Sequence, residues 1–116
     1  MKKILAILVT ALLCFASCTT TQAPLYTWDK YYITSYNYLK DNDEKAMQEL
    51  IKTYQNIINK QYGARKTVPP GIYADYGFLL LQADRNDEGK KMLQMEIALY
   101  PESAVFINRI LKMLEK

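Results

Sequence analysis

The sequence predicts an all-α domain of about five helices, arranged as antiparallel hairpins, behind an N-terminal segment of different character. Three observations predict it. Large apolar residues recur at spacings of three and four in successive stretches of the chain. Polar or proline-rich breaks separate those stretches, and no segment alternates as a half-buried strand would. At 116 residues, half of them apolar, the chain has material for one modest core and hence one domain.

The N-terminal segment comes first. Lys2 and Lys3 precede the apolar run "ILAILVTALLCFAS", the order of charges and hydrophobes found in a secretory signal. The run stops at polar "CTTTQ", short of the ~20 apolar residues that a membrane-crossing helix needs. Ala16 and Ser17 directly before Cys18 resemble the lipobox of bacterial lipoproteins, with Phe15 standing where leucine is usual. That resemblance implies cleavage before Cys18, a diacylglycerol thioether on its thiol and a further acyl chain, such as palmitate, on the freed amine. Two or more such chains make a stable anchor where one is marginal.

The expected organisation is a signal peptide over 1–17, a lipidated tether over 18–25 and a helical domain over 26–116. The competing reading is an ordinary signal cut elsewhere. Cys14 would leave with the signal, and a disulfide from it to Cys18 would stabilise nothing. Thr19 stands where lipoproteins retained at the inner membrane often carry Asp, so the resemblance implies the outer membrane. No acidic export run follows, which favours its periplasmic face. Of the 15 basic residues, Lys2 and Lys3 leave with the signal, so 13 remain against 12 acidic ones. A net charge of about +1 gives no footprint for nucleic acid, which is not expected as a partner.

Helix one is predicted over 28–40, with Trp28, Tyr31, Tyr32, Tyr36 and Leu39 drawing one face. "KDND" ends it, and Asn42 or Asp41 is the expected cap of helix two, with Asp43 and Glu44 at its positive end. Helix two carries Met47, Leu50, Ile51, Tyr54, Ile57 and Ile58, and ends between Asn59 and Gly63. "GARKTVPPG" is the central loop: Pro69 and Pro70 remove backbone donors, and Pro69 drives Val68 toward an extended conformation. Pro70 fits the first turn of helix three, which buries Ile72, Tyr73, Tyr76, Leu79, Leu80 and Ala83. "DRNDEG" makes a turn with Asn86 as the expected cap of helix four. That helix runs to about Tyr100 and stops at Pro101. Ser103 is the expected cap of helix five, whose stripe is Phe106, Ile107, Ile110, Leu111 and Leu114.

The spacing from Tyr73 to Pro101 is more particular than helical periodicity. Tyr73, Tyr76-Gly77, Leu80, Gly89, Leu93 and Pro101 stand at the separations of the tetratricopeptide repeat. Gly77 and Gly89 are the small residues that let two antiparallel helices approach. Glu96 departs from the pattern, which wants alanine there. A carboxylate on that face needs a partner: it either bonds a tyrosine hydroxyl or a helix terminus, or it meets a ligand. Ala46 and Leu50 keep the small-to-large spacing of a poorer first repeat, with Trp28 out of register.

"YTWDKYYITSYNYLKD", "VPPGIYADYGFLLLQADRNDEGKKMLQMEIALYPES" and the lipobox together resemble the lipoprotein family called domain of unknown function 4810. The resemblance covers most of the mature chain, and "PPGIYADYG" and "YPES" are its specific parts. It implies a small outer-membrane-associated protein. It also implies partners among envelope lipoproteins, one of them similar to the curli-secretion channel, because genes for such proteins often adjoin those of the family. It assigns no catalytic residue.

No histidine occurs, which removes the commonest general base and metal ligand together. The acidic pairs Asp41 and Asp43, and Asp87 and Glu88, sit at helix starts, where capping accounts for them. No enzyme, cofactor or metal site is therefore expected. Ten tyrosines are the surplus, with Tyr26, Tyr31, Tyr32, Tyr36 and Tyr38 crowded near Trp28. They either fill the space between helices or line a concave surface that grips a peptide or glycan. Tyr26 and Tyr38, off the main stripe, are the expected exposed ones. The candidate binding surface is thus Tyr26, Trp28, Tyr38 and Glu96, with Cys18 as the lipidation site. The expected role is an interaction or assembly subunit of an envelope complex, and the alternative is a module for cell-wall glycan or another envelope ligand.

Overall fold

The computed structural model describes residues 1–15 and 21–116. The expected cleavage and lipidation positions, Ala16, Ser17 and Cys18, lie outside the described residues. The described chain is helical: α1 (Lys2–Phe15), α2 (Tyr31–Asp41), α3 (Glu44–Asn59), α4 (Ile72–Gln82), α5 (Asn86–Leu99) and α6 (Ala104–Leu114), with a 3₁₀ turn at Pro101–Ser103. No strand occurs among the described residues, as the sequence predicts. α1 leaves the side chains of residues 1–14 exposed, and among the described residues no helix is long and apolar enough to cross a membrane.

The other five helices form two hairpins and a closing helix: α2 with α3, α4 with α5, and α6 against α5. The core lies where α3 meets α4. Leu50, Ile51, Tyr54 and Ile57 of α3 pack on Ile72, Tyr73, Tyr76, Leu79 and Leu80 of α4. Ile57, Leu80, Leu93 and Ile107 are almost wholly enclosed, so truncating any one to alanine costs about 2–5 kcal/mol. The α4–α5 pair closes at the two glycines. A β-carbon on Gly77 would stand 2.9 Å from the Gly89 carbonyl oxygen and 3.0 Å from the Leu93 side chain.

The helix boundaries differ from expectation for local reasons. α2 begins at Tyr31, not Trp28, because Asp29 takes a positive φ of 46° and turns the chain. Asn42 adopts the left-handed conformation and ends α2, leaving Asp43 as the residue whose carboxylate accepts from the Ala46 N–H at 2.8 Å. The two residues of that short turn divide the work of stopping one helix and starting the next. Asn86 is the first residue of α5 and not its cap. Ser103 does not cap α6, because the 3₁₀ turn runs straight into it; its hydroxyl bonds the Tyr100 carbonyl instead. Pro69 to Gly71 form the turn ahead of α4, with Gly71 at φ 91°, where a side chain would be strained.

The face of α2 is the main correction. Tyr32, Tyr36 and Leu39 point to solvent at 75%, 61% and 81% exposure, and Tyr31, Thr34 and Tyr38 turn inward. Both sets repeat at three and four, so periodicity alone selects neither. Thr34 decides it. As the small residue, buried at 7%, it lets α2 lie close against its neighbours.

Pro24 and Leu25, the end of the expected tether, are bonded to the folded part of the chain. The N–H groups of Ala64 and Arg65 donate to the carbonyls of Pro24 and Leu25 at 2.9 and 3.1 Å. Thr27 Oγ1 accepts from the N–H groups of Tyr62 and Gly63, while Gln61 accepts from the Thr27 N–H and returns a bond to its carbonyl. These bonds latch the end of the expected tether onto the central loop. Gly63 is required there, since a β-carbon would lie 2.6 Å from the Tyr26 backbone.

Candidate interaction groove

A groove of about 220 Å³ runs between α2 and α4. α2 contributes Tyr31, Ser35, Tyr38 and Leu39, α4 contributes Asp75, Phe78 and Gln82, and Leu50, Tyr54 and Leu79 form the base. Two hydroxyl bridges span it. Tyr31 donates to Asp75 Oδ2 at 2.8 Å, and Tyr38 donates to Gln82 Oε1 at 3.3 Å. Tyr31 and Tyr38 are two helical turns apart on α2, and Asp75 and Gln82 are two turns apart on α4, so the bridges lie as parallel rungs. Phe78 sits between them and continues the wall toward α6, its ring 6.5 Å from that of Phe106.

The electrostatics are one-sided. Asp75 is the charged lining residue, no lysine or arginine faces it within the groove, and it has no ion-pair partner among the described residues. Burial pushes the Tyr31 hydroxyl up to about 12, with the hydrogen bond to Asp75 and that carboxylate's charge adding to it. Tyr54 is raised as well, by burial first and then by Asp75, Tyr31 and Tyr38. Tyr31 therefore remains a hydrogen-bond donor at any physiological pH. The groove offers apolar walls, two polar rungs and one carboxylate, which suits a chain segment carrying apolar side chains and a cation.

The expected surface residues separate into three places. Tyr38 lies in the groove wall, half-buried and not freely exposed. Tyr26 and Trp28 lie together at the latch, rings edge-on at 6.2 Å, with the Arg65 guanidinium 5.7 Å from the Tyr26 ring centre and bonded to its hydroxyl at 3.2 Å. Trp28 continues into Tyr31 at 5.8 Å, and Tyr31 into Tyr54 at 6.0 Å, so a file of rings connects latch to groove. Tyr26 is half-buried where exposure was expected.

Glu96 belongs to no surface. It is 3% exposed on α5, and its carboxylate accepts from the N–H groups of Gly71 at 2.8 Å and Ala74 at 3.4 Å. A side chain from one helix thus caps the N-terminus of another, the helix-terminus alternative left open by the sequence. Burial raises the Tyr73 hydroxyl first, and the Glu96 charge raises it further.

A larger concavity of about 510 Å³ lies under the central loop, lined by Ile58, Val68, Tyr73 and Leu99 among others. Its Gln61 is already committed to Thr27 and to the Ile57 carbonyl. Among the described residues no three His, Cys, Asp or Glu side chains gather as a metal site requires. Sequence reasoning missed Ser35, Leu39, Asp75, Phe78 and Gln82 as groove residues. The usable signal was the matched seven-residue spacing, Tyr31 to Tyr38 and Asp75 to Gln82.

No curated protein and no solved structure matches this chain. One family does, described as a domain of unknown function (DUF4810), over residues 25–110, a span that opens at the latch and takes in the groove and most of α6. With most of its length matched, the chain belongs to that family.

Proposed function

We propose that this chain is a membrane-anchored interaction subunit, held by acylated Cys18 at the periplasmic face of the outer membrane. Its α2–α4 groove receives a segment of another envelope lipoprotein. The observation that carries the reading is the pair of rungs, Tyr31–Asp75 and Tyr38–Gln82, framing an apolar trough beside an unpaired carboxylate. The Gly77–Gly89 closure supports it, because it builds the hairpin from which tetratricopeptide-like proteins present such a trough. A glycan ligand is the second reading, favoured by the exposed rings of Tyr32 and Tyr36 next to the groove's lip at Leu39.

The test is a photo-crosslinking amino acid placed at Leu39 in the full chain in cells, with Lys52 on the exposed side of α3 as control. The assembly reading expects one recurring lipoprotein adduct at 39 and none at 52. Equal adducts at both positions overturn it. Retention on purified cell wall by protein stripped of partners, blocked by changes at Tyr32 and Tyr36, supports the glycan reading instead.

A further inference from the structure

We infer that the latch region is a second contact surface, which docks on anionic lipid headgroups and fixes the orientation of the domain on its membrane. The inference rests on the anchoring of Cys18 proposed above.

The chain between the acylation point and the fold is short. Pro24 is already bonded to the central loop through the Ala64 N–H, which leaves six residue steps from Cys18 to Pro24. Fully extended, six steps span at most about 20 Å. Whatever lies beside Pro24 and Leu25 is therefore held within about two Debye lengths of the headgroups.

What lies there is basic and apolar. Leu25 and Tyr62 project at 55% and 82% exposure, the two large side chains at the place where the tether enters. Lys60, Arg65 and Lys66 are exposed around them. The segment "KQYGARKTVPPG", residues 60–71, holds no acidic residue, and neither does the stretch from Cys18 to Trp28. The nearest acid along the chain, Asp29, shares a shallow cleft with Lys60 and Tyr62 and bonds Asn56 at 3.4 Å. A mature chain of nearly balanced charge thus places three cations and two greasy side chains at the end tied to its lipid.

Each cation near an anionic surface contributes about fivefold in partitioning, so three contribute about a hundredfold. A tyrosine ring and a leucine suit the headgroup level, where one part of the side chain meets hydrocarbon and the rest meets water. Because the tether supplies a high local concentration, docking of that strength suffices to hold the domain in one pose. The pose leaves the far ends of α4 and α5 pointing away from the membrane, since their turn lies at the opposite end of the hairpin from the central loop.

The experiment uses the acylated mature protein in vesicles of phosphatidylcholine, with and without phosphatidylglycerol. With Cys18 acylated and Cys14 removed, Tyr62→Cys carries the one reactive thiol, and Asp87→Cys at the start of α5 is the control. A bimane label on each is read for quenching by brominated lipid. Docking expects several-fold stronger quenching at 62 than at 87 in anionic vesicles, falling to the level of 87 when Lys60→Glu and Lys66→Glu are added. Leu25→Cys, half-exposed and on the same surface, is expected to repeat the result of 62. Equal quenching at 62 and 87 in acylated protein overturns the docking and leaves the anchor standing. A mature protein whose mass shows no acyl chains overturns the anchor itself.

Discussion

The carbonyl oxygen of Gly89 lies 2.9 Å from where a β-carbon on Gly77 would stand, and the reverse distance, from Gly77 oxygen to a β-carbon on Gly89, is 2.8 Å. Two helices are pressed together with backbone against backbone, and neither backbone can move alone. Gly89→Ala sets a gain in helix propensity of about 1 kcal/mol against overpacking of about 1–3 kcal/mol. Overpacking prevails because the obstruction is a carbonyl and the Leu81 side chain behind it, at 2.8 Å. The expected result is a melting temperature lower by about 5–10 °C, read by far-ultraviolet circular dichroism. A variant as stable as the parent would mean that α4 and α5 separate freely.

Gly63→Ala is expected to open the latch. Its β-carbon would stand 2.6 Å from the Tyr26 nitrogen and α-carbon, so residues 24–27 must leave the central loop. Trp28 is the sole tryptophan and packs beside Tyr26, so its emission reports the change directly. A red shift with α-helix content retained is the expected outcome, together with proteolysis before Trp28 at least tenfold faster than in the parent. Unchanged emission would show that the latch tolerates the added carbon.

Glu96→Ala and Glu96→Gln should differ in size and agree in direction. Alanine leaves the Gly71 and Ala74 N–H groups without an acceptor in a buried place, at a cost of about 2–4 kcal/mol. Glutamine keeps one acceptor oxygen and loses the charge that favours a helix N-terminus, at about 1–2 kcal/mol. Urea denaturation measures both. Equal stability of parent and Glu96→Ala would deny the capping role.

Leu39→Glu separates binding from folding. Leu39 lines the groove yet is 81% exposed, so the substitution changes stability by about 0.5 kcal/mol or less. At the Tyr38–Gln82 end of the groove the new carboxylate replaces an apolar wall by a hydrated charge and offers a partner's apolar side chains nothing to pack on. Co-purification of envelope lipoproteins from detergent extracts is expected to fall at least tenfold with the melting temperature unchanged. Full co-purification would move the contact elsewhere on the domain.

Stability should decline on the alkaline side. The folded Tyr31 hydroxyl is raised to about 12 from its ordinary 10.0, so the folded state keeps a proton that the unfolded chain has already released. Its contribution is whole below about pH 10 and is lost as pH rises toward 12. Tyr54, Tyr73 and Tyr100 are raised too and act in the same sense. The measurement is the urea midpoint between pH 9 and 12, where Tyr31→Phe is expected to flatten the fall. A midpoint that rises over this range would contradict the burial assigned to these rings.

The hairpin of α4 and α5 was legible in the sequence because its device is local: two glycines and a proline at fixed separations from large side chains. The inward face of α2 was not, because Tyr32, Tyr36 and Leu39 satisfy helical periodicity as well as Tyr31, Thr34 and Tyr38 do. The choice was made where α2 packs on α3, with the small Thr34 enclosed. The latch left still less trace. Thr27 and Gln61 carry ordinary polar side chains 34 positions apart, and the Pro24 and Leu25 bonds are backbone to backbone. The two partners of each rung lie 44 positions apart, and only the equal spacing of the rungs on two helices hints at them.

The same latch decides how tension would travel through the molecule. A pull on residue 24 enters the structure at Ala64 and Arg65, near the middle of the chain, and must shear several hydrogen bonds at once. Without those bonds the force would reach Tyr31 first and peel α2 away one turn at a time.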